Sequence, residues 1–276
     1  MSDLHLEVGQ QYPEFDIAPK APYLVLAGDI GRFQDYAYYL QFLRRQCAIF
    51  TKVFLVPGNH EFFGVSRARG LEIAKSLESE PGCDGKLYVL NRTRVDLDHV
   101  NITVLGCTLH SRVPPKAQLI VQMKVSDFHQ IENWTVNDHN IEHQADVKWL
   151  QEEVNKIRID RLRRRILIVT HHAPTMKGTS KPSDVGSPLS SAFATDLLPA
   201  RRFADAQCWV FGHTHFSTEF KRRRMQLVSN QRGYVLNGVP LQGQAIATSR
   251  QSIFHRMLRR RDRVEKEFDV GKVIEL

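Results

Sequence analysis

The segment FLVPGNHEFFG, residues 54–64, carries the pattern on which the fold turns. Its four leading apolar residues look like a buried strand, and Pro57-Gly58 ends it. Glycine permits a sharp exit from a strand. An amide oxygen (Asn59), an imidazole (His60) and a carboxylate (Glu61) follow. One such segment fits a plain polar turn. Several that end alike would mark a site.

Four other segments end alike. SDLHLE (2–7) sets Asp3 and His5 two apart, so on an extended chain both point to one side. YLVLAGD (23–29) ends in Gly28-Asp29, and ILIVTHH (166–172) ends in His171-His172. CWVFGHTH (208–215) places His213 and His215 on a shared side. Carboxylate oxygen, amide oxygen and imidazole nitrogen suit borderline divalent ions such as Mn, Fe or Zn. Asp3, His5, Asp29, Asn59, His171, His213 and His215 make seven donors, with no thiolate among them. That exceeds one tetrahedral ion and suits two ions sharing a bridge.

Short apolar runs at 23–28, 52–58, 102–107, 166–170, 208–212 and 225–230 are expected to be strands. Helical patterns at 33–46, 66–78 and 142–160 lie between them. The alternation predicts an α/β or mixed sandwich. Residues 173–190, rich in Pro, Gly and Ser, are expected to form a long loop over one end of the sheets. No repeat or linker is visible, so 1–276 is expected to be one domain.

The net charge is +8 over 276 residues. The basic runs RLRRR (161–165), KRRR (221–224) and LRRRDR (258–263) have little aromatic interleaving, which argues against a single-strand stacking platform. Nucleic acid is a possible but not a favoured partner. Cys47, Cys83, Cys107 and Cys208 form no CxxC pair, which fits free thiols in a reducing cytosol or nucleus. No run approaches the roughly 20 apolar residues that span a bilayer, and no signal peptide is visible. The sequons at Asn91, Asn101 and Asn133 are accordingly read as chance.

DLH, GD, GNHE, H and GHTH, in this order, resemble the calcineurin-like metallophosphoesterase superfamily. THHAP (170–174) and SNQRGY (229–234) resemble its small soluble members. The resemblance implies a four-layer αββα sandwich of two mixed β-sheets flanked by helices. It implies Asp3, His5, Asp29 and His215 around one metal, and Asp29, Asn59, His171 and His213 around the other. Asp29 would bridge, His60 would be the catalytic group, and Glu61 would orient its loop. A metal-activated hydroxide would attack phosphorus in line in a small phosphomonoester or phosphodiester, and His60 would protonate the leaving oxygen or stabilise its charge. His172 has two readings, a supporting hydrogen bond or substrate contact. His110 lies in a segment expected near the substrate.

The chain also departs from that family. Its protein phosphatases carry GDxVDRG and an arginine before GNHE, whereas here GDIGRF and Pro57 stand. Arg32 is the candidate replacement for their phosphate-gripping arginines. The aspartate that would orient the catalytic histidine is missing from its usual place. An apolar first strand normally precedes DxH, and Met1-Ser2 leaves no room for it. The first strand is therefore expected to be missing, at a cost of about 5–9 kcal/mol for about three core-facing side chains, with Asp3 and His5 poorly anchored, unless another segment fills the slot or the true start lies upstream. Residues 235–266 are expected to be a disordered or inserted segment before FDVGKVIEL (268–276). Two other functions compete with the hydrolase: a weakly active or inactive interaction scaffold, and a nuclease with salt-sensitive binding.

Overall fold

The computed structural model describes residues 1–160, 164–198, 201–236, 238–240 and 265–276. One sheet contains β1 (Tyr23–Ala27), β2 (Lys52–Val56) and β3 (Leu87–Val89), parallel and in that order. The other contains β4 (Thr93–Leu97), β5 (Ile102–Cys107), β6 (Arg165–Thr170), β7 (Cys208–Val210), β8 (Thr218–Arg222) and β9 (Met225–Ser229). Its order is β4-β5-β6-β7-β9-β8. The inner pairs are parallel, and β4 and β8 run antiparallel at the two edges, so this sheet is mixed.

Strand periodicity builds the layers. Side chains alternate between the two faces of a strand. On β2, Val53 and Leu55 enter one apolar cluster, and Phe54 and Val56 enter another. On β6, Leu167 and Val169 join Phe54 and Val56 between the sheets, while Ile166 and Ile168 face the opposite way. A parallel strand covered on both faces needs an unbroken apolar run, which is why the strand segments contain so few polar residues.

Helices α1 (Tyr36–Ile49) and α2 (Arg67–Glu78) cover the smaller sheet through Tyr39, Leu40, Phe42, Leu43, Ala74 and Leu77. The Ser66 hydroxyl caps α2 by accepting from Arg69 N–H. Next come α3 (Pro115–Lys124), the short α4 (Asp127–Gln130) and α5 (Val136–Ile159). Leu150, Val154 and Ile157 of α5 cover the larger sheet. The layers are therefore helix, sheet, sheet, helix, as expected.

Some details differ from expectation. Helix α5 begins at Val136 rather than 142, behind a capping box that uses Thr135 and Asp138. The usual signature has Glu or Gln at the second position. A 3-10 turn, Phe33–Asp35, precedes α1. Strands β3, β4 and β8 were not expected from the sequence, and all three are sheet edges. Edge strands tolerate charge, as TRVDL and TEFKR do, and this hides their apolar signal.

The segment 1–6 is not the loose end expected. Met1 O accepts from Ala27 N–H, and Asp3 N–H donates to Gly28 O at 2.9 Å. On its other side, Ser2 N–H donates to Asn230 O and Gly233 N–H to Asp3 O. His5 and Leu6 donate to Asp29 O and Ile30 O. Asp3 and His5 are fully buried, so both are well anchored although no extended strand carries them. An apolar cleft near Met1 is lined by Ile17, Leu24, Val25, Val228, Val273 and Ile274.

Of the expected 235–266 insertion, residue 237 and residues 241–264 lie outside the described residues, as do the basic positions 161–163 and 258–263. Val235–Leu236 pairs antiparallel with Val239–Pro240. FDVGKVIEL forms no strand. Ile274 and Leu276 pack against the apolar layer between the sheets, and the Asn230 side chain exchanges two hydrogen bonds with the Asp269 backbone.

Lys266 and Lys272 donate to one oxygen of Glu219 at 2.8 and 2.6 Å. These bonds hold the Glu219 carboxyl at about 2, below its ordinary 4.5. A depressed carboxyl stabilises the fold above its unfolded value and loses that contribution as pH falls through the folded one. Glu219→Gln is expected to destabilise the protein by at most about 1 kcal/mol at pH 7 and to speed amide exchange across 268–274. Between pH 5 and pH 2 the native protein should lose more stability than the variant in urea unfolding. Parallel losses would contradict this role.

Candidate metal centre

The loops after β1, β2, β6 and β7 meet the N-terminal segment at one end of the sandwich. Asp3, His5 and His215 form one group whose ligand atoms lie within 4.8 Å of one another, and Asp29, His171 and His213 form another. In the first, His5 Nε2 and His215 Nε2 are 2.9 Å apart, and His215 Nε2 is 3.4 Å from Asp3 Oδ1. In the second, His171 Nε2 lies 3.3 Å from Asp29 Oδ1, 3.0 Å from Asn59 Oδ1 and 3.1 Å from His213 Nδ1. Asp29 faces both groups: its Oδ2 is 4.0 Å from His5 Nε2.

Hydrogen bonds behind these donors set their orientation. His171 Nδ1 lies 2.9 Å from Ala27 O. A carbonyl can only accept, so Nδ1 carries a proton and the ring turns Nε2 toward Asp29, Asn59 and His213. Asn59 Nδ2 donates to Asp127 Oδ1 at 2.7 Å, which turns the Asn59 oxygen toward His171. Asp127, pushed up to about 6 chiefly by burial, had no signal in the sequence. Burial opposes charge on His171, but the Asp29 carboxylate outweighs it and raises the imidazole to about 10. Burial lowers His215 to about 4.

The backbone here is strained. Asp3, His5, Asp29, His213 and His215 have φ of 52°, 47°, 53°, 70° and 46°. This left-handed region is uncommon for residues other than glycine, and such residues cluster at functional sites. The expectation that Asp3/His5 and His213/His215 share a side by extended-strand alternation is therefore not met; left-handed turns aim them. Gly58 is also needed for a different reason. Its φ is not positive, but a Cβ there would lie 2.2 Å from Asp29 Oδ1. A Cβ on Gly212 would lie 2.6 Å from Asp3 Oδ2.

Glu61 orients its loop and more. Its buried carboxylate accepts from the backbone N–H groups of Asp29, Ile30 and Gly58 at 2.9, 2.8 and 2.7 Å. Gly31 N–H and the Tyr39 hydroxyl add to these. One side chain thus ties the ends of β1 and β2 together.

His60 stands beside the donors. Its backbone N–H donates to Asp29 Oδ1, and its ring is 4.4 Å from that of His5. His60 Nδ1 lies 2.9 Å from Glu7 Oε1, and Nε2 lies 3.1 Å from the Tyr234 hydroxyl. Burial opposes charge on Glu7, and hydrogen bonds from His5 and His60 override it, holding the carboxyl at about 2. The sequence did carry a signal for Glu7: Asp3, His5 and Glu7 recur at every second position. Tyr234 lay in a motif noted only for its resemblance.

The three expected substrate residues are spread out. The His172 ring lies 4.0 Å from that of His213, and neither of its buried nitrogens has a partner. His110 is one ring further away, 5.6 Å from His172, with Nδ1 3.3 Å from Asp146 Oδ2. The Arg32 guanidinium is 5.9 Å from the Phe63 ring, which packs 4.2 Å from His60. Its Nε is buried without a partner.

The family model for calcineurin-like phosphoesterases matches residues 1–217, which include every donor above. The chain belongs to this family. An uncharacterised protein of Acanthamoeba polyphaga mimivirus is 28% identical over 232 residues, covering 77% of this chain and 78% of the relative. The crystal structure of a phosphopantetheinyl hydrolase from Mycobacterium tuberculosis superposes with a TM-score of 0.61 at 18% identity, covering 85% of this chain and 88% of that one. That likeness shows a shared fold. The expected family and the expected sandwich of mixed sheets flanked by helices are both met. Among the described residues no helix is long and apolar enough to cross a membrane.

Removing Glu61 would leave several buried donors unpaired at about 1–3 kcal/mol each. Glu61→Ala is therefore expected to lower stability by at least about 3 kcal/mol in urea unfolding. A loss below about 1 kcal/mol would show that the two strand ends hold together without it.

Proposed function

We propose that this phosphoesterase hydrolyses a small phosphomonoester or phosphodiester with two divalent cations, Mn, Fe or Zn. The observation that carries the proposal is Asp29, whose two carboxylate oxygens face two separate donor groups. The donors fit such ions chemically. They are oxygen and imidazole nitrogen, and His213 Nε2 is buried with no hydrogen-bond partner. Asp3, His5, Asp29 and His215 would hold one cation, and Asp29, Asn59, His171 and His213 the other.

When bound, the cations supply a water acidic enough to ionise near neutral pH and positive charge for the phosphoryl oxygens. The chain's own residues do the rest. Asn59 adds an oxygen without adding charge. His60 delivers a proton to the departing oxygen from Nε2. Arg32 and His172 bear unpartnered buried nitrogens that suit phosphate oxygens, and His110 backs His172. The cysteines are buried and unbonded, which supports a cytoplasmic setting.

Chelation should abolish hydrolysis of p-nitrophenyl phosphate or its bis-ester, and Mn, Fe or Zn should restore it. His60→Ala is expected to keep its cations by elemental analysis and lose about 10²–10⁴ in kcat. Full turnover in that variant would remove the role of His60. Cation-independent turnover, or no bound cation after loading, would remove the whole reading. Tight, steeply salt-dependent nucleic-acid binding would favour the nuclease instead.

A further inference from the structure

The aspartate that the family resemblance would place behind the catalytic histidine is missing from its usual place, yet His60 is held. Its anchor is Glu7, 53 positions earlier in the chain. The Glu7 side chain is 4% exposed. One of its oxygens, Oε1, lies 2.9 Å from His60 Nδ1 and 3.3 Å from His5 Nδ1. A carboxylate has acceptors only, so both imidazoles donate to it from Nδ1. Each ring must then turn Nε2 toward the centre. His5 Nε2 does so, 2.9 Å from His215 Nε2. His60 Nε2 does so as well, and there it meets the Tyr234 hydroxyl. Phe63 packs against the His60 ring and limits its rotation.

We infer that Glu7 is the positioning residue for His60: it accepts from Nδ1–H and fixes the ring plane, so that the protonated ring presents Nε2–H to the departing oxygen. This rests on the reading of His60 as proton donor. The same oxygen steadies His5, so the proton donor and one cation ligand share a single anchor on the segment before β1. Tyr234 holds Nε2 from the opposite side, where a leaving oxygen would take its place.

The test uses the full chain in two measurements. The first is long-range proton–nitrogen correlation NMR of the histidine rings without added metal. Read at a pH where the His60 ring is neutral, its one proton should sit on Nδ1 in the native protein and in Glu7→Gln, whose amide oxygen still accepts. In Glu7→Ala it should shift toward the Nε2–H form. Retention of Nδ1–H in Glu7→Ala would overturn the inference.

The second measurement is kcat at saturating Mn on two esters. Glycerol 2-phosphate has a leaving group that needs a proton, and p-nitrophenyl phosphate has one that does not. Glu7→Ala should lose about 10–100-fold on the first and several-fold less on the second, and Glu7→Gln should recover most of that difference. Equal losses on both esters without rescue by Gln would overturn the inference. If even the native protein cleaves neither ester, the proposed function fails, and the ring measurement still decides whether Glu7 sets His60.

Discussion

The Glu61 carboxylate holds the architecture of this centre together. Two parallel strands, β1 and β2, end side by side with backbone N–H groups pointing into a space from which water is excluded. Each would be costly if left unpaired. Glu61 satisfies those of Asp29, Ile30 and Gly58 with one side chain. The turn after β1 therefore cannot move independently of the turn after β2, and Asp29 stays fixed against Asn59 and His60. The remaining geometry builds outward from that clamp.

The surrounding backbone needs such a clamp. Five donor residues adopt left-handed φ values, at a cost of order 1–2 kcal/mol each. Regular strands would relax that strain and scatter the side chains. Backbone bonds on both sides of residues 1–3 hold the N-terminal part in place, and three apolar clusters supply the burial that offsets the strain. Glycine appears where nothing else fits: Gly58 lets the second turn approach Asp29, and Gly212 does the same for Asp3. Rigid strands thus deliver chemistry through short turns that would be unfavourable alone.

The layered fold was legible because buried parallel strands demand unbroken apolar runs, and YLVLA, KVFLV and RILIVT supply them. The edge strands were not, because TRVDL and TEFKR carry charge where one side of the strand faces water. At the centre, Asp29, Asn59, His171, His213 and His215 could be named because each follows a strand, and Glu61 could be assigned to its loop. Glu7 was overlooked although it continues the alternation of Asp3 and His5. Asp127 gave no cue, because its short helix meets Asn59 only after folding.

What the sequence by itself determined is the donor inventory and the strand ends that carry it, since both depend on residue type and local spacing. Tertiary structure alone decided that Asp29 faces two donor groups, that Asp127 turns the Asn59 oxygen inward, and that Glu7 reaches His60. These contacts join residues 29 with 171, 59 with 127 and 7 with 60. Local spacing says nothing about how distant turns meet. That depends on strand order, layer packing and left-handed turns, which exist only once the whole chain has closed around its cores.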